Sequence, residues 1–294
     1  MKFSAYSLLF VLVLGMACTP SAPAQTFKHI KVKGGAALED IAAGGASVWA
    51  LSNTGNPYIL KGNQFVLANL ITFRQIAVGG GSLRQADDVW ALDAAGKVYR
   101  ASKSGTSYAF SQVPGVLDSI AVGSGYHDNC HPYEVWGLNA ATQIFRYNYC
   151  SKAFDQAPGF LSSLAVGGGD MWGINANGRI FRFDFTTGGF VQLPGILTQV
   201  AVGPNGFWGL LNTQIYQFYD NIQDFGQLSG ILSEIRAGGN GVWGLNASGS
   251  IFRLDSSSLT FVQIPGTLAR LSVGSGAGVW GINGGKEAYA FTTP

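Results

Sequence analysis

Charge and histidine are both scarce in this sequence. Only 12% of its 294 residues are charged, and 18 basic against 16 acidic side chains leave a formal net charge of +2. A nucleic-acid binder concentrates Lys and Arg on one face, so that class of partner is excluded. There are three histidines, of which only His127 and His131 are close in sequence, which leaves little for acid–base work. Neither a G-x-S-x-G elbow nor an H-E-x-x-H metal motif occurs. The Gly-Gly-Gly and Gly-Ser-Gly runs follow β-like segments and lead into no helix, so they read as turns and not as phosphate cradles. No helical period is visible. Beyond the N-terminal leader, no apolar run is long enough to span a membrane. The chain therefore reads as a non-enzyme with no catalytic residues, no cofactor, no metal and no membrane insertion.

Cysteine is nearly as rare, at three. Cys18 falls in the leader: Lys2 gives a positive start, Ser7 to Val13 is apolar, and Ala22-Pro23-Ala24 is a small-x-small cleavage pattern before Gln25. Residues 1–24 thus read as a secretory signal peptide, and residues 25–294 as the mature domain of a secreted or extracytoplasmic protein. Lipid attachment at Cys18 is the alternative. It is disfavoured because Gly15-Met16-Ala17 lacks the usual apolar residue three before the cysteine. Cys130 and Cys150 remain, and an even pair in an exported chain suggests a disulfide.

Glycine (42 residues) and aromatics (13%) are abundant, as an all-β fold with tight turns requires. All seven tryptophans (Trp49, Trp90, Trp136, Trp172, Trp208, Trp243 and Trp280) fall in one repeated phrase, V-W-G/A-L/I-N. Their spacing of 35 to 46 residues marks a repeat architecture. Each unit carries four short β-like runs, clearest in the fourth: Leu164–Gly167, Met171–Asn175, Ile180–Asp184 and Phe190–Gly195. Glycine, asparagine and aspartate at the breaks supply hairpin turns. Unit seven shows only three runs, ending at Phe291, and Phe27–Val32 is an unassigned run before unit one. The expectation is a seven-bladed β-propeller of four-stranded blades, closed by the N-terminal strand pairing into the last blade.

The consensus P-G-x-L-x-x-I-A-V-G-x-x-x-V-W-G-L-N-x-x-G-x-I-F-R resembles the tectonin repeat of β-propeller lectins, from about Phe27 to Phe291. The resemblance implies a propeller that binds glycans or glycoconjugates on cell or microbial surfaces through several shallow sites. Tectonin lectins commonly have six units, and seven are read here. Unit one has Ala50 for the glycine and Ser52 before Asn53, and unit five has Leu211 before Asn212. Unit five has Gln217, and unit seven Ala290, at the arginine position. A non-catalytic scaffold binding a protein or peptide partner is the alternative function.

Two residue classes stand out as candidate ligand contacts, each with a plainer structural account. Asn139, Asn175 and Asn246 end the second run; their amides suit sugar hydroxyls, but also turns. Arg146, Arg182 and Arg253, with Arg100, end the third run; the guanidinium fork suits vicinal hydroxyls, but also a salt-bridged edge with Asp184 or Asp255 as partner. The Trp rings either pack between blades or stack on sugars. His127-Asp128-Asn129-Cys130-His131 sits in an insertion before Trp136. A zinc site with Cys150 is one reading, although its spacing is no known ligand pattern. A Cys130–Cys150 disulfide is the simpler one. Cys130 enters and Cys150 leaves the same predicted hairpin, so the two lie at one end of it.

Overall fold

The computed structural model describes residues 25–80, 86–125 and 128–292. The proposed signal peptide, Cys18 and His127 lie outside the described residues. Every regular element is a β-strand, and the described residues contain no helix.

Units two to six are five separate four-stranded antiparallel sheets, each a meander in chain order. In unit four the strands are Ser163–Gly167, Asp170–Ile174, Arg179–Asp184 and Gly189–Ile196. The second strand is buried almost throughout, because both faces of the sheet are covered. Trp172 and Ile174 point to one face, as residues two apart must, and pack against Val200, Val202, Phe207 and Phe218 of unit five. On the other face, a Cβ at Gly173 would lie 2.8 Å from the Ser163 carbonyl oxygen, so only glycine permits this approach of strand to strand. The turn between strands two and three closes on Gly178 at φ +73°, a left-handed conformation that costs glycine nothing.

The same packing recurs. Trp90 meets Tyr147 of unit three, Trp136 meets Phe183 of unit four, and Trp243 meets Phe291 of unit seven, with ring centroids 4.6–4.7 Å apart and edge-to-face. Trp280 of unit seven contacts Phe65 of unit one at 6.0 Å. All seven rings are between 0% and 8% exposed. The Trp phrase therefore serves inter-unit packing, and the rings offer no face to a sugar.

In units two to six the fourth strand carries an irregularity. In unit four Ile180 pairs with Leu193 but Arg179 pairs with Ile196, so Pro194 and Gly195 bulge out of the ladder. Units two, three, five and six show the same register shift, at Pro114-Gly115, Pro158-Gly159, Ser229-Gly230 and Pro265-Gly266.

The sixth sheet has eight strands. It holds unit one (Leu38–Ala43, Val48–Ser52, Pro57–Lys61, Gln64–Leu67) and unit seven (Arg270–Val273, Val279–Ile282, Ala288–Thr292). The N-terminal strand Thr26–Val32 lies between them. Thr26 to Ile30 run antiparallel to Thr292 to Ala288. Lys31 and Val32 then pair in parallel with Gln64 and Phe65. First strands of successive units adjoin one another, and that of unit seven adjoins that of unit one. Across this last junction the Ala43 amide donates to Ser272 Oγ at 2.9 Å and the Ala277 amide to the Gly44 carbonyl at 3.1 Å. Valine, alanine and glycine from all seven first strands line one narrow cavity of about 230 Å³.

Candidate functional site

In units three, four and six the Asn and Arg fall at opposite ends of the central hairpin. Trp172 is registered with Arg182, and Ile174 with Ile180. Asn175, one residue beyond Ile174, is therefore about 10 Å along the strand from Arg182. The structure does not bring each Asn–Arg pair into one site.

At the Asn end, turn chemistry occupies the side-chain oxygens. Asn175 Oδ1 accepts from the amides of Asn177 and Arg179, both at 3.0 Å. Asn139 Oδ1 accepts from Ala141 and Gln143, and Asn246 Oδ1 from Ser248 and Ser250. Asn175 also lines a cavity of about 630 Å³ with Phe160, Phe181 and Phe190, between units three and four.

At the Arg end, an acid two residues before the tryptophan faces the arginine across the hairpin. Arg100 Nε donates to Asp88 at 2.8 Å, Arg146 Nη2 to Glu134 at 2.5 Å, and Arg182 Nη2 to Asp170 at 2.8 Å. The sequence suggested Asp184 and Asp255 as partners, and this is corrected. Asp184 accepts instead from the Thr186 amide and the Thr187 hydroxyl, and Asp255 from the Ser257 amide and hydroxyl. Those local bonds, the Thr186 amide first for Asp184 and the Ser257 hydroxyl first for Asp255, hold both carboxyls below the usual range. In units two and three the acid also anchors the tryptophan: Trp90 Nε1 donates to Asp88 at 2.7 Å and Trp136 Nε1 to Glu134 at 2.6 Å. In unit two the Tyr149 hydroxyl donates to Asp88 as well. Burial, then the Asp88 charge, raises the Tyr149 hydroxyl far above an ordinary phenol.

Unit six differs. Arg253 lies 5.6 Å over the Trp243 ring, as its counterparts lie over theirs. The acid position, however, is Gly241, and Trp243 Nε1 donates to the Asn240 carbonyl instead. Among the described residues Arg253 makes no ion pair.

Open cavities recur at this end between neighbouring units. One of about 490 Å³ contains Asp170 and Arg182. One of about 500 Å³ contains Gly241 and Arg253. One of about 510 Å³ contains Ser47 and Ile59, the equivalent positions of unit one. All three fall in the range of small-molecule sites.

The insertion of unit three is stapled. Cys130 and Cys150 form a disulfide with Cα atoms 5.0 Å apart, so neither thiolate is left for zinc. His131 Nδ1 contacts Asp128 at 2.9 Å. No group of three or more His, Cys, Asp or Glu able to hold a metal occurs among the described residues.

These features define an all-β repeat protein of four-stranded sheets with repeated clefts between its units. A model of the tectonin domain matches residues 24–188 and again 161–293, and the chain belongs to that family. No curated protein sequence matches it significantly. Among solved structures it is similar to YCF48 bound to D1 peptide, with a TM-score of 0.65 and 15% identity over 93% of this chain and 100% of that one. YCF48 from Cyanidioschyzon merolae matches with a TM-score of 0.63 and 11% identity over 90% and 98% of the two chains. The extracellular domain of the hybrid two component system BT3049 from B. thetaiotaomicron matches with a TM-score of 0.63 and 11% identity, covering 92% of this chain and 42% of that one. At these identities the likeness is one of fold.

Proposed function

We propose that the protein is a secreted, non-catalytic lectin: a closed seven-bladed tectonin propeller that holds glycans in clefts between its blades. The observation that carries the reading is the recurrence of similar clefts, about 490, 500 and 510 Å³, at equivalent places in units four, six and one. A single open cleft makes few contacts and binds weakly. Several on one rigid ring raise avidity on a dense glycan surface by about 10² to 10⁴. Arg182 and Arg253 are the proposed contacts in two of these clefts, while Asn175 borders a separate cavity at the other end. Ring closure is supported by the cyclic adjacency of first strands and by the pairing of Phe27 with Phe291. Export is supported by the leader pattern and by the disulfide.

A glycan array probed with residues 25–294 tests the function. Binding to a defined set of glycans is expected, and an array with no binding at high protein density overturns the reading. The similarity to a propeller solved with a bound peptide, YCF48, favours the second reading, a protein- or peptide-binding scaffold. That reading takes over if the array is blank and a peptide library is not.

A further inference from the structure

The seven units can be compared at two positions that face each other across the hairpin: the residue two before tryptophan, and the residue paired with tryptophan on the third strand. Units two, three and four hold acid and arginine together: Asp88 with Arg100, Glu134 with Arg146, Asp170 with Arg182. Units one, five and seven hold neither, with Ser47 and Ile59, Gly206 and Gln217, Gly278 and Ala290. Only unit six keeps the arginine without the acid. Where the chain has dispensed with one partner it has elsewhere dispensed with the other, as expected when a half-buried guanidinium without a counter-charge is costly. Arg253 is the exception.

The missing carboxylate leaves space. The cleft around Arg253 has about 500 Å³, and Gly241 contributes no side chain to it. Its polar walls come from Asn205, Asn240 and Ser256, and none of its lining residues is acidic. Asn240 uses its amide nitrogen on the Gly274 carbonyl, which leaves its side-chain oxygen as an acceptor. Asn205 and Ser256 are exposed. Trp208 borders the same cleft, and its buried Nε1 has no hydrogen-bond partner, unlike Nε1 of Trp90 and Trp136.

We propose that this cleft takes an acidic sugar, with the ligand's carboxylate in the place that Asp88, Glu134 and Asp170 fill in the other units. The guanidinium fork receives both carboxylate oxygens. The Asn and Ser side chains on the wall serve the ring hydroxyls, which need both donors and acceptors. The inference rests on the carbohydrate reading and narrows it: unit six selects the charged sugar, and the cleft of unit four, whose arginine is already paired with Asp170, does not.

The test titrates the full mature chain with the methyl glycoside of D-glucuronic acid, with that of D-glucose and with sodium acetate, following tryptophan fluorescence and heat. Three forms are compared: wild type, Arg253→Gln and Arg253→Lys. Gln217 already stands opposite Trp208 in unit five, so glutamine is a residue this fold accommodates. Equal melting temperatures confirm that the variants fold. The glucuronide is expected to bind at one site per chain, more tightly than glucose or acetate, and more weakly as salt rises. Arg253→Gln should weaken it by about tenfold or more, the scale of a lost charge-assisted pair, and Arg253→Lys by less. No glucuronide binding, or binding indifferent to Arg253→Gln, overturns the proposal. Acetate binding as tightly as the glucuronide overturns the sugar assignment. The same forms on a glycan array separate the two levels: neutral glycans retained with no acidic preference sink this inference alone, while a blank array sinks the lectin reading.

Discussion

The buried ion pair of unit three offers a sharp test of how the units are held together. Glu134 is 0% exposed and Arg146 15%, whereas Asp170 and Arg182 are 23% and 40% exposed. The motif is the same and the solvent screening is not. In Glu134→Gln the amide oxygen still receives Trp136 Nε1, but the guanidinium of Arg146 is left against the rings of Trp136, Phe183 and Phe185 without its counter-charge. Removing one member of such a pair costs about 3 kcal/mol or more. Asp170→Asn removes a half-exposed pair, worth about 1 kcal/mol or less. For a domain of this size each kcal/mol moves the melting temperature by about 2–4 °C. Glu134→Gln should therefore lower it by on the order of 10 °C, and Asp170→Asn by a few degrees at most. The double variant Glu134→Gln/Arg146→Met removes the orphaned charge and should recover part of the loss. Calorimetric melts at neutral pH in moderate salt measure all three. Equal shifts for the two single variants would refute the argument that burial sets the cost.

Deleting residues 25–36 removes the strand shared by units one and seven and should produce aggregation or a large drop in melting temperature; an unchanged melt would sink the closure argument. Cys130→Ser/Cys150→Ser should lose about 3 kcal/mol, and the intact protein should show no free thiols from this pair by mass under non-reducing conditions. Asn175→Ala removes the acceptor for two turn amides and should cost about 1 kcal/mol, read by chemical denaturation. Asp128 is held below the ordinary carboxyl range, first by the hydrogen bond from His131. Its folded-state value is depressed, so its contribution is present above the unfolded value of about 3.9 and is lost as pH falls through the folded value. Asp128→Asn should thus lower stability at pH 6 and converge with wild type at pH 2–3 in a denaturation series.

Much of the fold was legible in the residues. Trp172 and Ile174, two apart with a glycine between them, state which face is packed and where two strands come close. The disulfide followed from the even pair of cysteines and from hairpin topology, since Cys130 and Cys150 flank the same two strands. The arginine partners were not seen. Asp184 and Asp255 lie two residues from arginine on the same strand and attract attention, but their oxygens are captured by the next turn. The true partners of Arg100, Arg146 and Arg182 are twelve residues upstream, and only the strand register brings them opposite. A signal was nonetheless present: Asp88, Glu134 and Asp170 all stand two before tryptophan. The split between Asn175 and Arg182 was hidden for a related reason. Seven residues separate them along the chain, but the turn at Gly178 folds back so that each ends at its own rim.

The bulges at the Pro-Gly pairs have a consequence for solubility. Each of units two to six ends in an outer strand whose far edge has no neighbour in its sheet. Such edges invite strand addition from a second molecule, the first step toward fibres. In four of the five, proline has no N–H to offer an incoming strand, and in all five the kink at the glycine breaks the straight edge that such a strand must follow. With the bulge repeated in five units, no long regular edge remains for cross-pairing. A protein built from exposed β-sheet edges is thereby guarded against pairing edge to edge with its own copies.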